Sequence, residues 1–137
     1  MNARIWDGEI PVEQILDSYR RTEEPSTGTV VIHAGRVKLP GKKVEKMTHV
    51  ILEPVCDDPA CGLDLISVQA KNRYAINRVQ IHHRVGTALA GDDLLLVFVS
   101  SRVRGPAFDA CRWIVNEIKR EKIIRLAEIK REKSPCV

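Results

Sequence analysis

The chain has 137 residues, which suits one domain and leaves little room for a second. It is 44% hydrophobic and 29% charged. No apolar run approaches the roughly 20 residues of a transmembrane helix, which argues against a membrane-spanning protein. The net charge of +4 is unevenly placed: residues 1–111 hold 14 basic and 14 acidic side chains, while Arg112 to Lys133 hold 8 and 4, the whole excess.

Met1 to Glu9 carries Asp7 and Glu9 where a signal peptide would be apolar, so a cytoplasmic protein is expected. Arg4 to Trp6 reads as a short strand. Pro11 to Tyr19 reads as a helix, with Pro11 in its first turn and Val12, Ile15, Leu16 and Tyr19 on one face. Glu23 to Gly28 is a polar loop. Thr29 to Ala34 is rich in β-branched residues and predicts a strand ending at Gly35. Leu39-Pro40-Gly41 is a turn within the basic stretch Lys38 to Lys43. Val44 to Glu53 predicts the next strand.

Asp57-Asp58-Pro59 is a helix entry, because Asp caps and Pro tolerates the first turn. Leu63, Ile66, Ala70 and Tyr74 then recur at helical spacing. Val79 to Val85 alternates as a strand, Gly91-Asp92 turns, and Leu94 to Val99 is an apolar run suited to a strand buried on both faces. Gly105-Pro106 precedes a last long helix with Phe108, Cys111, Trp113, Val115 and Ile118 as its apolar content. Beyond Lys119, helix continuation and a final strand through Ile123, Ile124 and Leu126 are both open. The pattern is about five strands and three helices in the order β-α-β-β-α-β-β-α. It predicts one α+β domain (a mixed α/β sandwich) over residues 1–137, with an antiparallel or mixed sheet.

Four cysteines stand at Cys56, Cys61, Cys111 and Cys136. Cys56 and Cys61 have the spacing of half a zinc site or of a local disulfide. Cys111 and Cys136 bring no close second ligand, so free thiols and no metal are expected. His33 and His49 read as satisfied strand residues. His82 and His83 are adjacent on a strand and must face opposite sides, so they cannot share a site.

Ile81-His-His-Arg-Val-Gly86, followed by Gly91-Asp92, is a distinctive string. So is Ala107-Phe-Asp-Ala-Cys-Arg-Trp113 with Glu117-Ile-Lys119, and upstream stands Gly35-Arg36-Val37-Lys38. In order and spacing these resemble the large, catalytic subunit of molybdopterin synthase over roughly residues 27–122. The resemblance implies sulfur transfer from the thiocarboxylated C-terminus of a small ubiquitin-like carrier to cyclic pyranopterin monophosphate. It also implies a homodimer of large subunits with one small subunit at each end, a heterotetramer. No cofactor, nucleic acid or membrane is implied.

Residue by residue, Lys119 matches the family's catalytic lysine, a cation that can clamp developing negative charge. Arg36 and Lys38 fall where the substrate phosphate is bound, although the family usually has arginine at 38 and lysine lacks the bidentate fork. Arg104 matches an arginine that reaches the neighbouring subunit's pocket; the histidine before it is Val103 here. A second functional lysine of the family falls on Leu126. Arg125, Lys122 or Lys130 restores that charge only if the backbone path shifts, and Arg125 is taken as a substrate-binding candidate. The family's histidine at His83 is read as structural, and Cys111, Phe108 and Trp113 as core.

Three readings compete. The first is an active synthase subunit. The second is a diverged relative that keeps fold, dimer and partner or phosphate binding but has lost catalysis through Lys38, Val103 and Leu126. The third, a nucleic-acid module using the basic end, is the weakest: acids alternate with bases there, and aromatics for base stacking make up only 4%.

Overall fold

Asp93 to Ser101 is buried along nearly its whole length, and Thr29 to Arg36 alternates strictly between half-buried and exposed. A fully buried strand beside a one-sided one is the pattern of a sheet centre and a sheet edge. The computed structural model describes residues 2–130, and its elements bear this out. They are β1 (Ala3–Asp7), α1 (Val12–Arg21), β2 (Thr29–Arg36), β3 (Met47–Pro54), α2 (Pro59–Arg73), β4 (Arg78–Leu89), β5 (Asp93–Ser101), α3 (Arg104–Ile118) and β6 (Ile124–Lys130). The fold is α+β. One six-stranded sheet runs β2-β5-β4-β3-β6, antiparallel except for β1, which lies parallel to β4.

The two sheet faces are covered differently. On one face α1 packs Val12, Ile15, Leu16 and Tyr19 over Leu96 and Phe98. On the other, α2 and α3 pack Leu63, Ile66, Ala70, Ala107, Ala110 and Ile114 over Val79, Ile81, Leu95, Val97 and Val99. α2 starts where Asp58 accepts the Cys61 N–H at 3.1 Å, the cap its sequence predicts.

β4 is the strand on which both halves of the sheet meet. Its residues 78–83 pair with β5, 81–85 with β1, and 86–89 with β3. The handover falls at Gly86, whose φ of +91° favours glycine. It brings the β3–β6 ladder past the C-terminal end of α3.

Four expectations are corrected. There are six strands, because β6 follows α3; Glu121, at φ 58°, lies in the turn between them. β3 begins at Met47, and Val44 belongs to the preceding loop. α3 begins at Arg104 and takes Gly105 and Pro106 into its first turn. Phe108 is 55% exposed; the buried face of α3 is instead Ala107, Ala110, Cys111, Ile114, Val115 and Ile118. Residues 131–137, with Arg131, Lys133 and Cys136, lie outside the described residues.

Candidate functional site

A cleft of about 410 Å³ opens where the C-terminal end of α3, the loop after β2 and strand β6 converge. Its floor comes from the sheet: His33 and Gly35 of β2, Leu95 of β5 and His83 of β4. Gly35 contributes no side chain, and a Cβ there would lie 3.3 Å from His33 Nε2. Val37, Met47, Val50, Leu52, Ile118, Ile124 and Leu126 make apolar walls. Five cations line it, Arg36, Lys38, Lys42, Lys43 and Lys119, against two carboxylates, Glu121 and Glu128. None of the five cations has an ion-pair partner among the described residues.

Each cation is placed by its local fold. Lys119 is the C-cap of α3, its N–H bonded to the Val115 carbonyl at 3.0 Å. A cation there sits at the negative end of the helix dipole. Arg36 and Lys38 flank Val37, whose N–H and C=O both bond the β4–β5 turn, at 3.0 Å to Asp92 O and 2.8 Å from Gly91 N. Arg36 also donates Nε and Nη2 to the Gly91 carbonyl at 3.2 and 3.1 Å. The turn itself is held by Arg84, which reaches Asp92 at 3.4 Å and the Thr87 carbonyl at 2.8 Å. The His-Arg-Val-Gly and Gly-Asp strings are therefore scaffolding for the cation rim.

Lys42 and Lys43 arrive by another route. Glu128 of β6 accepts the backbone N–H groups of Lys42, Lys43 and Val44 at 2.7, 2.7 and 2.8 Å. These bonds hold its carboxyl below the usual carboxylate range. At Gly41 a Cβ would run into the backbone carbonyl oxygen of Val44 and lie 2.9 Å from Met47 Sδ, so the loop closes here only with glycine.

Two imidazoles lie in the floor. Burial holds both below the ordinary histidine range, and the Lys119 charge adds to the effect on His33. His83 Nδ1 lies 2.8 Å from the Arg84 carbonyl, which can only accept, so Nδ1 carries the proton and Nε2 is unprotonated. His33 Nε2 is buried with no hydrogen-bond partner among the described residues, which corrects its reading as a satisfied strand residue. His49 is bonded, to Thr48 Oγ1 at 2.8 Å.

Of the sequence candidates, Arg36, Lys38 and Lys119 meet in this cleft. Arg104 does not: it starts α3, about 22 Å from Lys119 along a 15-residue helix. Arg125 does not either. Strand alternation puts Ile124, Leu126 and Glu128 on the cleft side, while Arg125 bonds Glu53 at 3.0 Å outside it. The further cations that line the cleft with Lys119 and Leu126 are Lys42 and Lys43, not Arg125, Lys122 or Lys130. Their sequence signal was the basic run after the Pro-Gly turn, which reads equally well as a solvated loop.

The remaining candidates serve the core. His82 faces α1, accepting from Trp6 Nε1 at 3.0 Å and donating Nε2–H to Gln80 Oε1 at 2.9 Å. Burial, with the Arg4 charge, pushes it down to about 4. It lines a hollow of about 480 Å³ between β1, α1 and β4 whose one cation, Arg4, is stacked on Trp6 at 3.8 Å. Apart from His82, that hollow collects none of the candidates. Burial pushes the Cys111 thiol up to about 11, as for an inert core thiol. Cys56 and Cys61 are free. Among the described residues no three His, Cys, Asp or Glu side chains gather to hold a metal, and no helix is long and apolar enough to cross a membrane.

Known proteins resemble this chain in both sequence and fold. The sequence pattern of the family described as MoaE protein matches residues 6–121. The molybdopterin synthase catalytic subunit of Pyrococcus abyssi is 38% identical over 97 residues, 69% of this chain and 64% of that protein. Its counterpart in Haemophilus influenzae is 37% identical over 111 residues, 81% of this chain and 73% of that protein. The crystal structure of molybdopterin synthase from Staphylococcus aureus superposes with a TM-score of 0.83 at 25% identity, covering 97% of this chain and 94% of that one. A pattern match across most of the chain, two curated relatives and a shared fold agree: this chain belongs to the MoaE protein family, alongside the molybdopterin synthase catalytic subunits.

Proposed function

We propose that this chain is the catalytic subunit of a cytoplasmic molybdopterin synthase. It takes sulfur from the thiocarboxylated C-terminus of a small ubiquitin-like carrier and transfers it to cyclic pyranopterin monophosphate, toward a molybdenum or tungsten cofactor. The observation that carries this reading is the meeting of Lys119, Arg36 and Lys38, distant in sequence, in one cleft whose cations have no ion-pair partner among the described residues. Such a site is built for an anion from outside, and both reactants are anions.

In this mechanism the substrate phosphate lies against Arg36 and Lys38. The carrier's C-terminal tail enters beside the apolar walls. Lys119 meets the negative charge that develops as sulfur changes partner, in a site whose apolar lining strengthens the attraction. Arg104 acts in the cleft of a second copy, so the working unit is a homodimer with one carrier at each end. The rival reading, fold and partner binding without turnover, draws on the departures at Lys38, Val103 and Leu126. Five cations lining one cleft weigh against it.

The test is reconstitution. The chain, a thiocarboxylated carrier and the cyclic pyranopterin should yield a product that has gained two sulfurs, read by mass spectrometry. Absence of product, with a folded chain and a carrier proven active on another synthase, rejects the assignment.

A further inference from the structure

We infer that Lys42 and Lys43 supply, from the loop after β2, the reaction-centre cation that position 126 lacks, and that they bind an anionic oxygen of one of the two reactants. The inference rests on the function proposed above.

Three observations converge. Leu126 stands in the cleft wall, paired across the ladder with Leu52 and packed on the core, so β6 offers no charge at that position. Glu128, two residues along the same face, grips the backbone of residues 42–44 through three short hydrogen bonds. The loop is thereby fastened to the strand that carries Leu126, and its two exposed lysines line the same cleft as that residue. Neither ammonium has an ion-pair partner among the described residues. Glu128 spends its oxygens on backbone N–H groups, and the Lys43 charge acts on it only from beyond ion-pair distance, so the loop is anchored while both ammonium groups can still meet a ligand.

The ligand chemistry is a phosphate or thiocarboxylate oxygen, and two lysines without an arginine fork treat either as a point charge. The two sources separate kinetically. With the full chain and its carrier, the double variant Lys42→Ala/Lys43→Ala should raise KM about tenfold to a hundredfold for the reactant it binds, with the melting temperature unchanged. A rise for the pterin assigns the lysines to its phosphate; a rise for the carrier assigns them to the thiocarboxylate. Lys42→Arg/Lys43→Arg should keep KM within about threefold, because charge rather than shape is read. Adding Leu126→Lys to the alanine double variant should recover most of the loss, and that rescue is what a merely structural loop would not give. An unchanged KM for both reactants, or a loss that Leu126→Lys does not relieve, overturns the inference. If the unaltered chain shows no turnover at all, the synthase assignment falls. The loop is then judged on inorganic phosphate by calorimetry, where equal affinity of unaltered and double-alanine chains overturns it and weaker binding by the variant supports it.

Discussion

The two faces of the sheet use polar groups to opposite ends. Under α1, Glu23 accepts from Ser100 Oγ at 2.6 Å, which uses the serine's only proton, so the Tyr19 hydroxyl must donate to Ser100. Arg78 closes the set, donating to the Tyr19 carbonyl at 3.0 Å and to Thr22 Oγ1 at 2.8 Å while lying 3.8 Å from Glu23. Burial alone would raise Glu23, but bonds from Ser100 and Thr27 outweigh it and hold it low; burial pushes Tyr19 up to about 12. Donors, acceptors and charges of this set are matched within the chain, with one exception among the described residues, Asn77 Oδ1 beside Thr27. At the cleft they are not: five cations face two carboxylates, and His33 Nε2 has no partner among the described residues. A matched network holds a fold together, whereas cations without an ion-pair partner around a cleft are free to meet an anion.

Substitutions should therefore separate the two regions. The largest effect belongs to the cleft. Lys119→Ala should lower turnover about 100- to 1000-fold, the range for removing one preorganised electrostatic contact. Its stability should stay within about 0.5 kcal/mol, because the side chain is exposed and the α3 cap bonds are backbone. Paired kinetics and urea titration decide it, and comparable losses in both would erase the distinction.

The α1 face should show itself through acid. His82 is neutral in the native state, with a folded value of about 4 against 6.5 for the free side chain. Between those values the unfolded chain holds a proton that the native chain refuses, so stability falls as pH falls. The loss begins near pH 6.5, totals about 3 kcal/mol from this group, and stops growing below about pH 4, where the native histidine also protonates. His33 and His83 shift the same way, whereas Glu23 and Glu128 act only below their ordinary 4.5. His82→Gln should flatten the slope of urea midpoint against pH between 6.5 and 4; an unchanged slope refutes the assignment. Next in size, Ser100→Ala should cost about 1–3 kcal/mol by stranding Tyr19 and Glu23, with turnover retained at saturating substrate.

The sequence shows most clearly what depends on local pattern. The Asp58 cap, the amphipathic face of α1, the burial of β5 on both sides and the opposite facing of His82 and His83 all follow from neighbours within a turn or a strand. β6 was not legible, because Ile-Ile-Arg-Leu-Ala-Glu suits helix or strand equally. The choice is made by pairing with β3, Leu126 against Leu52. Phe108 was misplaced because its helix turns a small-residue face, Ala107 and Ala110, toward the sheet. In the site, Lys119, Arg36 and Lys38 were found through the resemblance. Lys42 and Lys43 were not, since what brings them in is a carboxylate 86 residues further on.

Arg125 gives the smallest and most discriminating case. By charge and by position one residue from the missing lysine, it is the natural replacement. The pleat decides otherwise: neighbouring strand residues face opposite sides, and Arg125 lies away from the cleft against Glu53. Both partners are about half exposed, 57% and 47%. Such a pair contributes about 0–1 kcal/mol. Arg125→Ala should thus cost no more than that in a urea titration and leave both KM values unchanged, while Leu126→Lys, one residue on, changes them. A rise in KM with Arg125→Ala would put the guanidinium in the cleft and would mean that β6 shifts register when the reactants bind, since no rotamer carries a side chain through its own strand.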